Sequence, residues 1–215
     1  MVVRNGFSEL AAQMFNETDH DSLIEQLNTK YSETDLLTYL PDDDLLVARA
    51  AATALGLIGS MDSVPELVKN LKNEDVRARF NTEMALWSIW SRSGQDTVDR
   101  LLNTGKRSLK NEEFNKAVEC FSKVIDIDPR FAEGYNQRAI AFFILDEWDN
   151  SLSDCLQTIE LNPYHFGAYA GMGHIYLRLG KIHEAVDAYK KALEINPNLI
   201  TVAETLLRLR RALEE

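Results

Sequence analysis

The chain holds few side chains able to do acid–base, covalent or metal chemistry. Its four histidines, His20, His165, His174 and His183, are scattered, and none falls in an H-E-x-x-H pair that would put two imidazoles on one helical face for a metal. The two cysteines, Cys120 and Cys155, lie far apart in sequence with no C-x-x-C spacing. Each is embedded in an apolar helical pattern, so both read as small buried hydrophobes. The triplet Asp42-Asp43-Asp44 could gather a cation. It stands, however, at the start of an alanine-rich helical stretch, where carboxylates cap exposed amides and complement the helix dipole. No Gly-rich phosphate loop follows a strand, because no strand pattern is evident. The expectation is therefore no catalytic residue, no metal and no cofactor. What remains is surface, and the elements that shape it.

Composition narrows the partners. The net charge is −11; residues 1–95 carry 8 Lys/Arg against 15 Asp/Glu, and residues 96–215 carry 15 against 19. Neither half offers the basic patch that nucleic acid or an anionic membrane surface requires. No run approaches the roughly 20 apolar residues of a membrane span. The first ten residues lack the apolar stretch of a secretory signal, so a cytoplasmic location is expected. Low Pro and Gly content with abundant Ala, Leu, Glu and Asp predicts an all-helical fold.

The second half repeats itself. Pro129, Pro163 and Pro197 each follow an apolar-acidic or apolar-amide tail, at intervals of 34 residues. With each proline as position 32 of a unit, position 4 is Leu101, Tyr135 and Tyr169, and position 8 is Gly105, Ala139 and Gly173. Position 11 is Ser108, Phe142 and Tyr176, position 20 is Ala117, Ser151 and Ala185, and position 24 is Phe121, Cys155 and Tyr189. Large residues alternate with small ones so that two antiparallel helices can approach closely, and the proline ends the second helix. The pattern resembles the tetratricopeptide repeat family over three units, 98–131, 132–165 and 166–199. The middle unit departs from it at Ser151, Cys155 and Thr158. Residues 199–215, apolar at Val202, Leu206, Leu207 and Leu209, predict an amphipathic helix capping the exposed end of the array.

In that family the first helix of each pair lines a concave groove through positions 2, 5, 9, 12 and 13. The resemblance implies a groove of Asp99, Leu102, Lys106, Leu109 and Lys110, then Glu133, Asn136, Ile140, Phe143 and Ile144, then Gly167, Ala170, His174, Leu177 and Arg178. Its floor is apolar, with Lys106, Asn136, His174 and Arg178 as polar anchors for a peptide segment. The clamp with which some members hold chaperone C-terminal tails needs Lys, Asn, Asn, Lys and Arg where this chain has Leu102, Lys106, Gln137, Gly167 and Gly171. A chaperone tail is therefore not the expected partner. Gly167 and Gly171 each weaken a helix by about 1 kcal/mol relative to Ala. Either they bare the backbone to a partner lying beside His174 and Arg178, or they admit a neighbouring helix.

The first half carries a different period. Val47, Ala51, Ala54, Leu55 and Ile58 form a helical stripe, and Ala78, Thr82, Ala85, Leu86 and Ile89 repeat it 31 residues later, with a short Pro65-led helix between. Residues 32–92 resemble HEAT-like repeats of the alanine-rich kind found in phycobiliprotein lyases. Residues 5–28 are expected to add capping helices, with Asp19 or Asp21 as N-cap. Phe80, Met84 and Trp87 form a second apolar stripe, with Trp90 close by; one unit earlier the same positions are Arg49, Thr53 and Gly56, read as a solvated face. Either the first tetratricopeptide helix covers Phe80, Met84 and Trp87, or they form a second interface.

The expected architecture is a right-handed α-α superhelix. Two HEAT-like pairs with capping helices occupy 1–95; three tetratricopeptide repeats and a capping helix occupy 96–215. The expected role is a non-catalytic scaffold or adaptor holding a partner peptide. The alternatives are an enzyme subunit related to bilin lyases, by fold analogy alone, or a self-associating assembly protein.

Overall fold

The computed structural model describes residues 2–14 and 20–214. Every regular element among them is helical. They fall into two compact units, Met1–Trp90 and Ser91–Glu215.

The first unit contains α1 (Val2–Met14), α2 (His20–Lys30), α3 (Glu33–Thr38), α4 (Leu45–Ile58), a 3-10 turn (Met61–Ser63), α5 (Val64–Asn70) and α6 (Val76–Trp90). Asp19, one expected cap, lies outside the described residues, and Asp21 stands inside the first turn of α2. The acidic triplet acts at a helix start. Asp44 Oδ1 accepts from the Leu46 amide at 2.9 Å, and Asp42 Oδ1 accepts from the Asp44 amide at 2.9 Å. Both alanine-rich stripes are buried except for Ile58, which is half-buried.

The solvated face expected on α4 needs correction. A methyl on Gly56 would stand 2.9 Å from Ala85 Cα, so α4 and α6 touch through this glycine. Arg49 is held by Asp75 through two hydrogen bonds of 2.8 and 2.6 Å. Phe80 and Met84 remain 63 % and 47 % exposed. Trp87 is half-buried and packs edge to face on the buried Trp90, centroids 5.3 Å apart, so Trp90 does not follow the exposed stripe.

The second unit contains α7 (Asp96–Lys110), α8 (Phe114–Ile127), α9 (Ala132–Ile144), α10 (Trp148–Leu161), α11 (Phe166–Arg178), α12 (Ile182–Ile195) and α13 (Ile200–Glu214). Three residues join the helices of each pair. The middle one, Glu112, Asp146 or Gly180, takes a left-handed conformation with φ of 62°, 59° and 71°. The polar residue before each proline closes the other turn: Asp128, Asn162 and Asn196 accept from the amides of Arg130, Tyr164 and Asn198.

Steric complementarity sets the pairs. A methyl on Gly105 would lie 2.4 Å from the Phe121 ring, and one on Gly173 would lie 2.4 Å from the Tyr189 ring. The middle pair has Ala139 at the small position and the smaller Cys155 opposite, within one buried cluster. Its Ser151 Oγ donates to the Ala139 carbonyl at 2.7 Å, which accounts for a hydroxyl where the other repeats have alanine. Helix α13 covers α12 with Val202 and Leu206; Leu207, expected on the same face, is 51 % exposed.

Candidate functional site

The inner helices α7, α9 and α11 lie side by side and are tied by specific contacts. Arg178 of α11 places its guanidinium 6.0 Å from the centroid of the Phe143 ring of α9. Lys106 of α7 stands 3.6 Å from Glu133 of α9. Between these contacts α9 presents Ile140 and Ile144 one turn apart, 41 % and 45 % exposed. Leu109, Phe143 and Leu177 are half-buried and rest on the cores beneath. An isolated exposed leucine or isoleucine needs no explanation, but two in register beside a half-buried Phe form a patch. A concavity of about 630 Å³ runs along α7, lined by Arg100, Asn103, Thr104, Lys106, Arg107 and Lys110, without a carboxylate.

The expected polar anchors divide. Asn136 is 4 % exposed and its side-chain amide donates to Glu133 at 3.1 Å, so it serves the interior and is not an open anchor. Leu102 is fully buried, also a departure from the expected groove lining. Lys106 is partly committed: its Nζ donates to Ser91 Oγ at 2.9 Å as well as facing Glu133. Gly167 and Gly171 are half-buried. A methyl on Gly171 would meet Cys155 Sγ at 3.4 Å, an ordinary contact, so no neighbouring helix requires this glycine. His174 and Arg178 are exposed on α11, one turn apart.

Sequence reasoning missed the group that joins the repeats. Glu133, assigned to the groove, is 1 % exposed. Its carboxylate accepts from Gln137 at 2.7 Å and Asn136 at 3.1 Å, and faces His165 Nε2 at 3.2 Å. The Ala168 amide points at His165 Nδ1 at 3.0 Å, which requires a lone pair there. That leaves Nε2 as the ring nitrogen that donates to Glu133. Burial pushes the Glu133 pKa up, but the hydrogen bond and electrostatic attraction of His165, then the Lys106 charge and the Gln137 hydrogen bond, outweigh it and hold it below the usual carboxylate value. Only their positions at adjoining repeat boundaries hinted at this pairing; residue type alone did not.

A part-buried ion pair staples the middle repeat. Arg138 forks onto Asp154 at 2.8 and 2.9 Å and donates to Ser122 at 3.0 Å. Both cysteines are buried and unpaired, and burial pushes the Cys155 thiol up to about 12, leaving it protonated and a poor nucleophile at neutral pH. Among the described residues no helix is long and apolar enough to cross a membrane.

Known proteins share the second half. The tetratricopeptide repeat family profile matches residues 108–131 and 167–199. The small glutamine-rich tetratricopeptide repeat-containing protein of Dictyostelium discoideum is 29 % identical over 190 residues, covering 87 % of this chain and 52 % of that protein. RNA polymerase II-associated protein 3 of Xenopus tropicalis is 32 % identical over 121 residues, 55 % of this chain and 18 % of that protein. Among solved structures, the first tetratricopeptide domain of Spaghetti (RPAP3) bound to the HSP90 peptide SRMEEVD superposes with a TM-score of 0.54 at 28 % identity. It covers 55 % of this chain and 94 % of that one. The chain spans 29 %, 66 % and 52 % of the first three curated relatives it matches, in each case less than two thirds. The second half of this chain therefore carries tetratricopeptide repeats.

Proposed function

We propose that this repeat array is the binding module of a non-catalytic adaptor, holding an extended segment of a partner protein across α7, α9 and α11. One observation carries the reading: Ile140 and Ile144 stand exposed beside Phe143 on α9, a helix met by Lys106 of α7 at Glu133 and by Arg178 of α11 at Phe143. That arrangement suits a segment with an aliphatic side chain for the floor and carboxylates for the flanks. The peptide bound to the Spaghetti domain supports the peptide class of partner. It also weighs against setting chaperone tails aside, although Leu102 is buried and Gln137 is engaged by Glu133 where a clamp would need open polar groups. The first unit is read as a HEAT-like helical repeat region, with exposed Phe80 and Met84 and half-buried Trp87 as a second interface.

The test uses the full chain and fluorescein-labelled heptapeptides, read by anisotropy: SRMEEVD and a positional library with acidic and aliphatic residues. Phe143→Glu puts a charge on the floor and is expected to weaken binding roughly tenfold or more. Trp87→Glu is expected to leave it unchanged. If no peptide binds, or if Phe143→Glu has no effect, the groove reading fails. Tight binding of SRMEEVD that is lost when its terminal carboxylate is amidated would establish a chaperone-tail partner.

A further inference from the structure

The third repeat holds a polar device absent from the other two. His174 on α11 and Tyr189 on α12 stand in edge-to-face contact, ring centroids 5.3 Å apart, with His174 Nδ1 and Tyr189 Oη separated by 2.7 Å. The same two positions are Lys106 and Phe121 in the first repeat and Ile140 and Cys155 in the second, so neither can form this bond.

The proton arrangement follows from burial. Tyr189 is 0 % exposed, beneath Gly173, and its hydroxyl has no other hydrogen-bond partner among the described residues. Burial pushes its pKa up to about 12, so it keeps its proton. A buried hydroxyl hydrogen needs an acceptor, and the one within reach is Nδ1. Tyr189 therefore donates, and Nδ1 holds a lone pair. The neutral ring then carries its hydrogen on Nε2, on the edge turned away from Tyr189. His174 as a whole is solvent-exposed and makes no second hydrogen bond within the described residues. Desolvation lowers its pKa, in keeping with a neutral ring.

An extended segment in the groove brings main-chain carbonyls that need donors. Among the inner positions the uncharged polar side chains are Asn136 and His174. Asn136 is spent on Glu133, and so is the adjacent Gln137. His174 is the open one. Beside it on the same face of α11 lie Gly167 and Gly171, and the space at Gly171 is not demanded by internal packing.

We propose that His174, locked by Tyr189 as the Nε2–H tautomer, is a specificity residue of the groove that donates to a main-chain carbonyl oxygen of the bound segment. This rests on the reading of α7, α9 and α11 as a peptide site. The occupant is an acidic-aliphatic segment: the exposed Lys110 and Arg178 at inner positions match its carboxylates, Ile140 and Ile144 its aliphatic side chain, and the neutral imidazole an uncharged acceptor.

The test has two arms on the full chain. Long-range 1H–15N NMR of His174 at neutral pH reads the tautomer without any ligand. It is expected to show a hydrogen on Nε2 and none on Nδ1, a preference that Tyr189→Phe removes. A hydrogen on Nδ1 would overturn the proposal. The second arm uses the tightest Phe143-dependent heptapeptide of the library. His174→Phe keeps a ring but removes the donor and is expected to weaken binding roughly three- to tenfold, the worth of one hydrogen bond. His174→Gln, whose amide reaches the Nε2 position, is expected to recover most of that loss. One backbone ester, weakening a single carbonyl acceptor, should cost affinity in the parent and not in His174→Phe. Phe143-dependent binding that His174→Phe leaves intact refutes the role of His174 alone; absence of any Phe143-dependent peptide refutes the groove reading beneath it. An ester effect that persists in His174→Phe shows that the carbonyl is read elsewhere and also overturns the proposal. If instead an Asp-to-Asn change in the peptide, and no ester, shares the His174 dependence, the acceptor is a carboxylate and the main-chain assignment is wrong.

Discussion

At the scale of residues, several polar groups of this chain are defined by what is buried against them. His174 is accessible, yet its tautomer is imposed by a hydroxyl with nowhere else to donate. The consequence is testable by titration. Its pKa is lowered in the folded chain, so between the folded value and the usual 6.5 the unfolded chain binds more protons. The His174 contribution to stability is thus complete above 6.5 and is lost as pH falls through the folded value. Charged Arg178 lies one turn away on α11, and Tyr189 is the titratable group facing it from α12. Urea unfolding across this range should show stability falling with pH, with a shallower fall in Tyr189→Phe, where no hydroxyl loses its acceptor. Identical slopes would refute the coupling.

Elements in the second unit are matched by volume, and the glycines show where the matching is tight. Gly105 faces Phe121 and Gly173 faces Tyr189 at distances no methyl can share. Gly173→Ala is expected to destabilise by about 1–3 kcal/mol, because the buried Tyr189 ring must shift. Gly171→Ala, meeting only Cys155 Sγ at 3.4 Å, is expected to gain up to about 1 kcal/mol from helix propensity. Chemical denaturation of both variants checks the pair, and equal effects would contradict the packing account. The three left-handed turn residues at Glu112, Asp146 and Gly180 show that the backbone of the turn repeats even where its residue type does not. Glycine takes that conformation freely, and aspartate tolerates it better than glutamate does.

At the scale of the molecule, the chain divides into two compact units, and α13 closes the end of the second. Repeat arrays gain stability from nearest-neighbour interfaces, so a terminal face left bare costs more than its own residues suggest. Deleting residues 199–215 would expose the cluster around Tyr189 and Ala192. The shortened chain is expected to show a lower melting temperature and concentration-dependent association by light scattering. A monomer of unchanged stability would mean that α13 is not a cap.

The sequence by itself determined the repeat length, the small and large positions, the helix ends at Pro129, Pro163 and Pro197 and the capping role of Val202 and Leu206. These are local or periodic properties: a proline breaks a helix wherever it stands, and a 34-residue spacing returns equivalent residues to equivalent places in successive repeats. That Ile140, Phe143 and Ile144 share one outward face of α9 was legible for the same reason. Tertiary structure decided which polar residues are available. Asn136 and His174 look equivalent as polar groups at inner positions, yet the first is consumed by Glu133 and the second is left with an oriented hydrogen. Residue type and spacing do not reveal this, because a hydrogen bond depends on distances of a few tenths of an ångström between side chains from different helices. The exposure of Phe80 and Met84 and the contact of Gly56 with Ala85 were likewise beyond the sequence, since a helical stripe does not say what covers it.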